Sequence, residues 1–318
     1  MKKIFLTCIT AMFFALSCTQ QVNATESLTQ EQSTTQEITS DTTTEQVNVP
    51  KVSTLSVKSR RKGMLAISWK KVSDADGVHL YIKKGSGNYK DYGEYEKSKK
   101  TETYYVIKLA AKKTYTVKAV AFKRIDGQIY YSKPVEKKIK ISSKKVKVKG
   151  GDWKKGSVYG PSLSTVQLKK VKKKVESFLN GYIEPTMTDA MKVQIAHDYL
   201  CNNVSYASSW STNYANTAYG ALKYKKAQCS GYSRAMKALC DGMGIGCKYI
   251  HANNKSINPS HQFNMVRVNK KWYIVDVQCN DSSGFYAFFL CSSKTYKSSG
   301  IRWDESKYPK CKKDYFSS

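Results

Sequence analysis

Gln228-Cys229-Ser230-Gly231-Tyr232-Ser233-Arg234-Ala235 places a thiol where a helix begins. Ala235, Met236 and Leu239 share one apolar stripe of a helix over Ser230 to Leu239, and the glycines at 242, 244 and 246 stop it. Unpaired amides of the first turn and the positive end of the helix dipole then surround the Cys229 sulfur, an environment that favours a thiolate nucleophile. The Cys229 backbone N–H is a natural donor to an oxyanion. For a second donor three upstream groups are available: Trp210, Tyr219 and Gln228.

Two aromatic and β-branched runs follow, Gln262 to Val268 and Lys271 to Val277, separated by Asn269-Lys270. That spacing predicts a hairpin with a two-residue turn. Pairing Val268 with Lys271 and counting back sets Phe263 opposite Asp276, so Asp276 lies on the His261 face and diagonal to it. Diagonal neighbours are about 7–8 Å apart at the backbone, within reach of a His-Asp hydrogen bond. Thiol, imidazole and carboxylate in the order Cys229, His261, Asp276 point to nucleophilic acyl transfer: one group attacks, one carries the proton, one orients the ring. A lone cysteine, histidine or aspartate has ordinary structural uses, and it is the ordered set that carries this reading.

The same residues resemble the transglutaminase-like superfamily, in which a Cys at a helix start, a His opening a strand and an Asp on the next strand form a triad. The resemblance covers about 160 to 300 and implies an α+β papain-like, transglutaminase-like catalytic domain. It departs from the common pattern in two places. The family's frequent His-Ala-Trp-Asn is His261-Gln262-Phe263-Asn264 here, and its Asp-Val-Thr-Trp-Asp is Asp276-Val277-Gln278-Cys279-Asn280. Both changes line the expected acyl cleft and bear on substrate more than on chemistry. Two helices are predicted before the thiol. One carries Leu168, Val171, Val175 and Phe178 behind the basic run Lys169 to Lys174. The second is capped by Thr188 and carries Ala190, Val193, Ala196 and Leu200, with His197 read as structural.

Upstream, from 49 to 142, short alternating runs recur with turn signals at Asp76-Gly77, Gly85 to Asn88 and Asp126-Gly127, which predict an all-β sandwich. This stretch resembles fibronectin type III modules. Trp69 matches the buried aromatic of an early strand, and Leu109 with Tyr115 matches a tyrosine corner. Between the two parts, 143–160 reads as a basic linker, and Lys137 to Lys155 holds nine lysines against one acidic residue, Asp152. The catalytic part is assigned to 161–318.

Met1-Lys2-Lys3 followed by apolar Ile4 to Leu16 reads as a signal peptide over 1–24, with Val22-Asn23-Ala24 at its cleavage site; Cys18 offers a competing lipoprotein site. Thr, Gln, Glu and Ser dominate 25–48, a disordered spacer by composition. The expected location is secreted or cell surface. Net charge is +30, which favours anionic partners such as a cell-wall polymer or glycan and peripheral surface association. No nucleic-acid module is recognisable, and export argues against nucleic acid. Cysteines 201, 240, 247, 279, 291 and 311 can pair outside the cell, Cys240 and Cys247 most easily, with connectivity otherwise open. No spacing argues for zinc, and no cofactor is expected. Two functions follow: an exported thiol enzyme acting on a protein or peptide substrate, by hydrolysis or cross-linking, or a non-catalytic surface interaction protein.

Overall fold

The computed structural model describes residues 47–96, 103–209 and 211–316. The leader and most of the spacer expected over 1–48 lie outside those residues.

Eight strands build the first half: β1 Leu55–Lys58, β2 Leu65–Trp69, β3 Gly77–Lys84, β4 Lys90–Glu96, β5 Thr103–Val106, β6 Thr114–Ile125, β7 Gln128–Tyr131 and β8 Val135–Lys140. One sheet runs β1-β2-β5, and the other runs β4-β3-β6-β7 with β8 also on β6; all pairings are antiparallel. Alternation drives the packing. Val78, Leu80 and Ile82 of β3 and Val117, Ala119 and Ala121 of β6 turn inward onto Leu65 and Ile67 of β2. Each such burial is worth about 1.5–3 kcal/mol for the larger side chains. The Tyr115 hydroxyl accepts from the Ala110 amide at 3.0 Å, closing the corner that the sequence anticipates. Trp69 is half-buried, its ring stacked on Tyr104 with centroids 4.9 Å apart. β1 and β4 escape a sequence reading; β4, Lys-Asp-Tyr-Gly-Glu-Tyr-Glu, is a largely polar edge strand held by its pairing with β3 and by Tyr92 and Tyr95, which pack on the core.

The lysine-rich stretch after β8 has no helix or strand, yet it does not hang free. Lys144, Lys145, Lys147 and Lys149 face solvent while Val146 and Val148 turn onto the second core. The Asn180 side chain accepts from Val146 N and donates to its carbonyl, Lys149 N donates to Gly242 O, and Tyr159 is fully buried. The composition expected of a linker is here an extended strap.

The second half contains α1 Thr165–Tyr182, α2 Asp189–Asn203, β9 Ser205–Tyr206, a π-helical turn Gly220–Tyr224, β10 Lys226–Ala227, α3 Cys229–Met243, β11 Cys247–His251, β12 Gln262–Val268, β13 Lys271–Val275, α4 Val277–Ser283, β14 Phe289–Cys291 and α5 Ser293–Lys297. A Ser164/Gln167 capping box starts α1 and the Thr188 hydroxyl caps α2. Apolar stripes of α1, α2 and α3 meet in one core with Val266, Val268 and Val275 of the antiparallel sheet β11-β12-β13-β14. Gly242 does not stop α3. It lies inside the helix because a Cβ there would come within 2.3 Å of Val175 on α1, and Gly244, at φ +78°, ends the helix instead.

The two halves touch. Arg60 approaches the buried Glu184 carboxylate at 3.7 Å, the Tyr105 and Thr186 hydroxyls are 3.2 Å apart, and Lys108 lies 5.4 Å from the Tyr182 ring centre.

Candidate active site

Parallel pairing of β9 with β10 brings the chain to Gln228, the extended residue that precedes α3. The Gln228 carbonyl accepts from Gly231 N and Tyr232 N, which closes the first turn and leaves Cys229 at the helix start. Residue 231 must be glycine, because a Cβ there would stand 2.2 Å from the Ala215 carbonyl oxygen. That close approach packs the 215 loop against the turn bearing the thiol.

The facing strand is tied to the same helix. The Ser233 hydroxyl donates to Gln262 O at 2.9 Å, and the Asn264 carboxamide donates to Ser233 O at 3.0 Å and Lys248 O at 3.2 Å. His261, one residue before β12, is thereby held against Cys229. β12 pairs with β13 from Val268/Lys271 to Asn264/Val275, with Asn269 and Lys270 both at positive φ, a two-residue turn of the primed kind. That register carries Asp276 to the His261 side.

His261 Nε2 donates to Asp276 Oδ2 at 2.6 Å, leaving Nδ1 for the thiol. His261 and Asp276 are 5% and 1% exposed. Burial pulls the imidazole pKa down, but hydrogen bonds to Asp276 and to Cys229 outweigh it, and the result is raised to about 10. Asp276 does not belong to the strand. It caps α4, taking the Cys279 amide on Oδ1 at 3.1 Å, while the Tyr296 hydroxyl donates to Oδ2 at 2.8 Å. By sequence the run continues as strand to Val277; the strand ends at Val275 and the aspartate's capping chemistry starts a helix instead.

The Cys229 thiol lies 3.5 Å from Gln262 Oε1 and 3.9 Å from the Ser260 carbonyl. Tyr206 is half-exposed on β9 and pairs with Ala227, two residues before the thiol. Partial burial and then the Cys229 charge raise its hydroxyl pKa. Of the three expected oxyanion donors, Trp210 lies outside the described residues. Tyr219 packs edge-on to Tyr214 and Tyr224, with centroids 5.3 Å apart in each pair, and Gln228 forms the turn before Cys229. Tyr206 had no pattern to reveal it, since a two-residue strand leaves no periodicity. Among the described residues no group of three His, Cys, Asp or Glu could hold a metal ion.

Residues 176–277 match the family model of the Transglutaminase-like superfamily, a span that includes Cys229, His261 and Asp276. A search of the curated proteins found no match. Similar solved structures include a TGase at 17% identity and TM-score 0.30, covering 48% of this chain and 39% of that one. A candidate cysteine protease from Cytophaga hutchinsonii has 15% identity and TM-score 0.29, covering 68% of this chain and 72% of that one. The fn3 domain of human contactin 1 has 11% identity and TM-score 0.24, covering 34% of this chain and 97% of that one. Residues 176–277 thus match a transglutaminase-like domain, and an antiparallel β-sandwich precedes them.

Proposed function

We propose that this transglutaminase-like chain is an exported thiol enzyme that transfers acyl groups from amide or peptide bonds. One observation carries the reading: a buried imidazole hydrogen-bonded to a carboxylate, with the residues on either side of it, Ser260 and Gln262, in contact with a thiol at a helix start. In the reaction the Cys229 thiol passes its proton to His261 and the sulfur attacks the acyl carbon, forming an S–C bond. The carbonyl electron pair moves onto oxygen, and the Cys229 amide donates to that oxyanion. Its collapse breaks the C–N bond, and the amine leaves with a proton from His261. Water or a second amine then attacks the thioester, His261 takes its proton, and the S–C bond breaks to restore the thiol. Asp276 keeps the imidazole in one orientation throughout.

The test uses p-nitrophenyl acetate as an acyl donor. The wild type should release nitrophenolate in a burst and carry one acetyl group on Cys229 by peptide mass mapping, and Cys229→Ala should do neither. Acetylation elsewhere, or equal release by both proteins, would defeat the reading. Adding a primary amine decides between fates: acetylated amine marks transfer, and acetate alone marks hydrolysis.

The exposed lysines from Lys137 to Lys155 support contact with an anionic polymer or glycan at the cell surface, and the apolar run Ile4 to Leu16 supports export. Retention of the whole protein on anionic wall material should fall steeply as salt rises, because exposed charge contacts are screened.

A further inference from the structure

We propose that His197 is a positioning residue for Asp276, acting through the Asn280 carboxamide; the proposal rests on the acyl-transfer reading above. His197 stands on α2, 2% exposed. Its Nδ1 is 2.9 Å from Asp198 Oδ1 and its Nε2 is 3.0 Å from Asn280 Nδ2. Asn280 Oδ1 accepts from Phe288 N at 2.9 Å, so the amide nitrogen is the end that faces the ring. Nε2 therefore accepts and Nδ1–H donates to Asp198, which fixes a neutral imidazole in one tautomer.

Asn280 belongs to a closed ring of bonds around Asp276. Asp276 N–H donates to Phe288 O at 2.9 Å, Phe288 N–H donates to Asn280 Oδ1, and Asn280 N–H donates to Asp276 O at 3.1 Å. Both backbone groups of Asp276 are held in that ring. His197 takes one of the two Asn280 side-chain amide protons and so holds the carboxamide that closes it. Cys201, one turn further along α2, adds an S–H donor to Val277 O at 3.8 Å. The other groups facing His197 are the Cys201 sulfur, the Tyr286 and Phe289 rings with centroids 4.9 and 5.1 Å away, and Asp281 on α4. The backbone that carries the orienting carboxylate is thus anchored from α2.

Two substitutions of similar polarity separate positioning from packing. His197→Gln sets a side-chain oxygen near the Nε2 position and keeps an acceptor for Asn280; His197→Asn reaches only the Nδ1 position and keeps a donor for Asp198. The measurement is the p-nitrophenyl acetate burst rate against pH, followed by acetyl mapping on Cys229, with wild type and Cys229→Ala as references. His197→Asn should slow the burst by about tenfold to a hundredfold, the scale of a misplaced catalytic group. Its alkaline limb should also move down from about 10 toward the ordinary imidazole range, because Asp276 no longer supports His261. His197→Gln should retain the wild-type limb and most of the rate. Equal behaviour of the two variants, or an unmoved limb in His197→Asn, overturns the positioning role while acyl transfer stands. A wild type that never acetylates Cys229 removes the acyl-transfer reading and this proposal with it.

Discussion

The second half of the chain holds two clusters of cysteine, histidine and aspartate, and they are built differently. Cys229, His261 and Asp276 come from a helix start, the residue before a strand and a helix cap, and only the tertiary fold unites them. His197, Asp198 and Cys201 occupy one turn of α2. In the first cluster one ring nitrogen is bound to the carboxylate and the other is left for the thiol. In the second both nitrogens are taken, by Asp198 and Asn280, and the Cys201 sulfur sits 3.8–3.9 Å from the ring nitrogens. Burial pushes the Cys201 thiol up to about 12, with Asp281 and Asp198 adding to the shift. An inventory of residue types would score the clusters alike. The ring nitrogen left for the thiol and the helix start separate them.

The largest expected effect breaks that comparison directly. Cys229→Ala and His261→Ala should each lower thiol-dependent turnover by about 10⁴-fold or more, the scale of removing a nucleophile or its base from a triad. The p-nitrophenyl acetate burst measures it. Retention of wild-type turnover in either variant would return the first cluster to the status of the second.

Asp276→Asn comes next. Asparagine caps helices well, so α4 should persist, but a neutral amide no longer supports the imidazolium, and turnover should fall by about 10²- to 10⁴-fold. The sign of the pH effect follows from the raised His261 value. The imidazolium persists at neutral pH and is lost as pH rises through about 10. Its contribution to stability is complete below the ordinary value near 6.5 and disappears between there and about 10. Without the carboxylate the alkaline limb should move toward 6.5 and that high-pH loss of stability should shrink. Chemical denaturation of both proteins at neutral and alkaline pH checks the second half; parallel losses would mean that Asp276 does not hold the charge.

The contrast between the clusters also sorts what the sequence could disclose. Cys229 announces itself because the helix it starts has apolar periodicity after it, and the hairpin register follows from two β-branched runs and one short turn. The Asp276 cap is harder to see. Asp-Val-Gln-Cys-Asn reads as the end of a strand until Phe288 is folded back to accept the Asp276 amide, a contact between residues twelve positions apart. Likewise the strap after β8 is legible as charge but not as packing, because Val146 and Val148 find their partners only once α1 presents Asn180. Local chemistry is written locally; a group's partner across the fold is not.

Tyr206→Phe should have a smaller effect, slowing the burst by about tenfold through loss of a hydroxyl that feels the Cys229 charge. Tyr219→Phe is the matched control, since Tyr219 packs in the aromatic cluster of the π-helical turn. A larger loss for Tyr219→Phe would move the assisting hydroxyl from β9 to that turn.

The smallest effect is expected at the second cluster's own thiol. Cys201→Ala removes a sulfur that is half-buried on α2 and that touches the His197 ring and the Val277 carbonyl. Neither ring nitrogen depends on it for a partner, since Asp198 and Asn280 supply both. Turnover should therefore stay within about twofold of wild type, and the lost packing should cost about 1 kcal/mol of stability. Iodoacetamide at neutral pH gives an independent reading on the unmodified protein. Burial holds the Cys201 and Cys279 thiols up at about 12 and about 11, so both should remain protonated and react far more slowly than Cys229. Labelling of Cys201 at the rate of Cys229, or a large turnover defect in Cys201→Ala with its fold intact, would show that the second cluster also works as a reactive site.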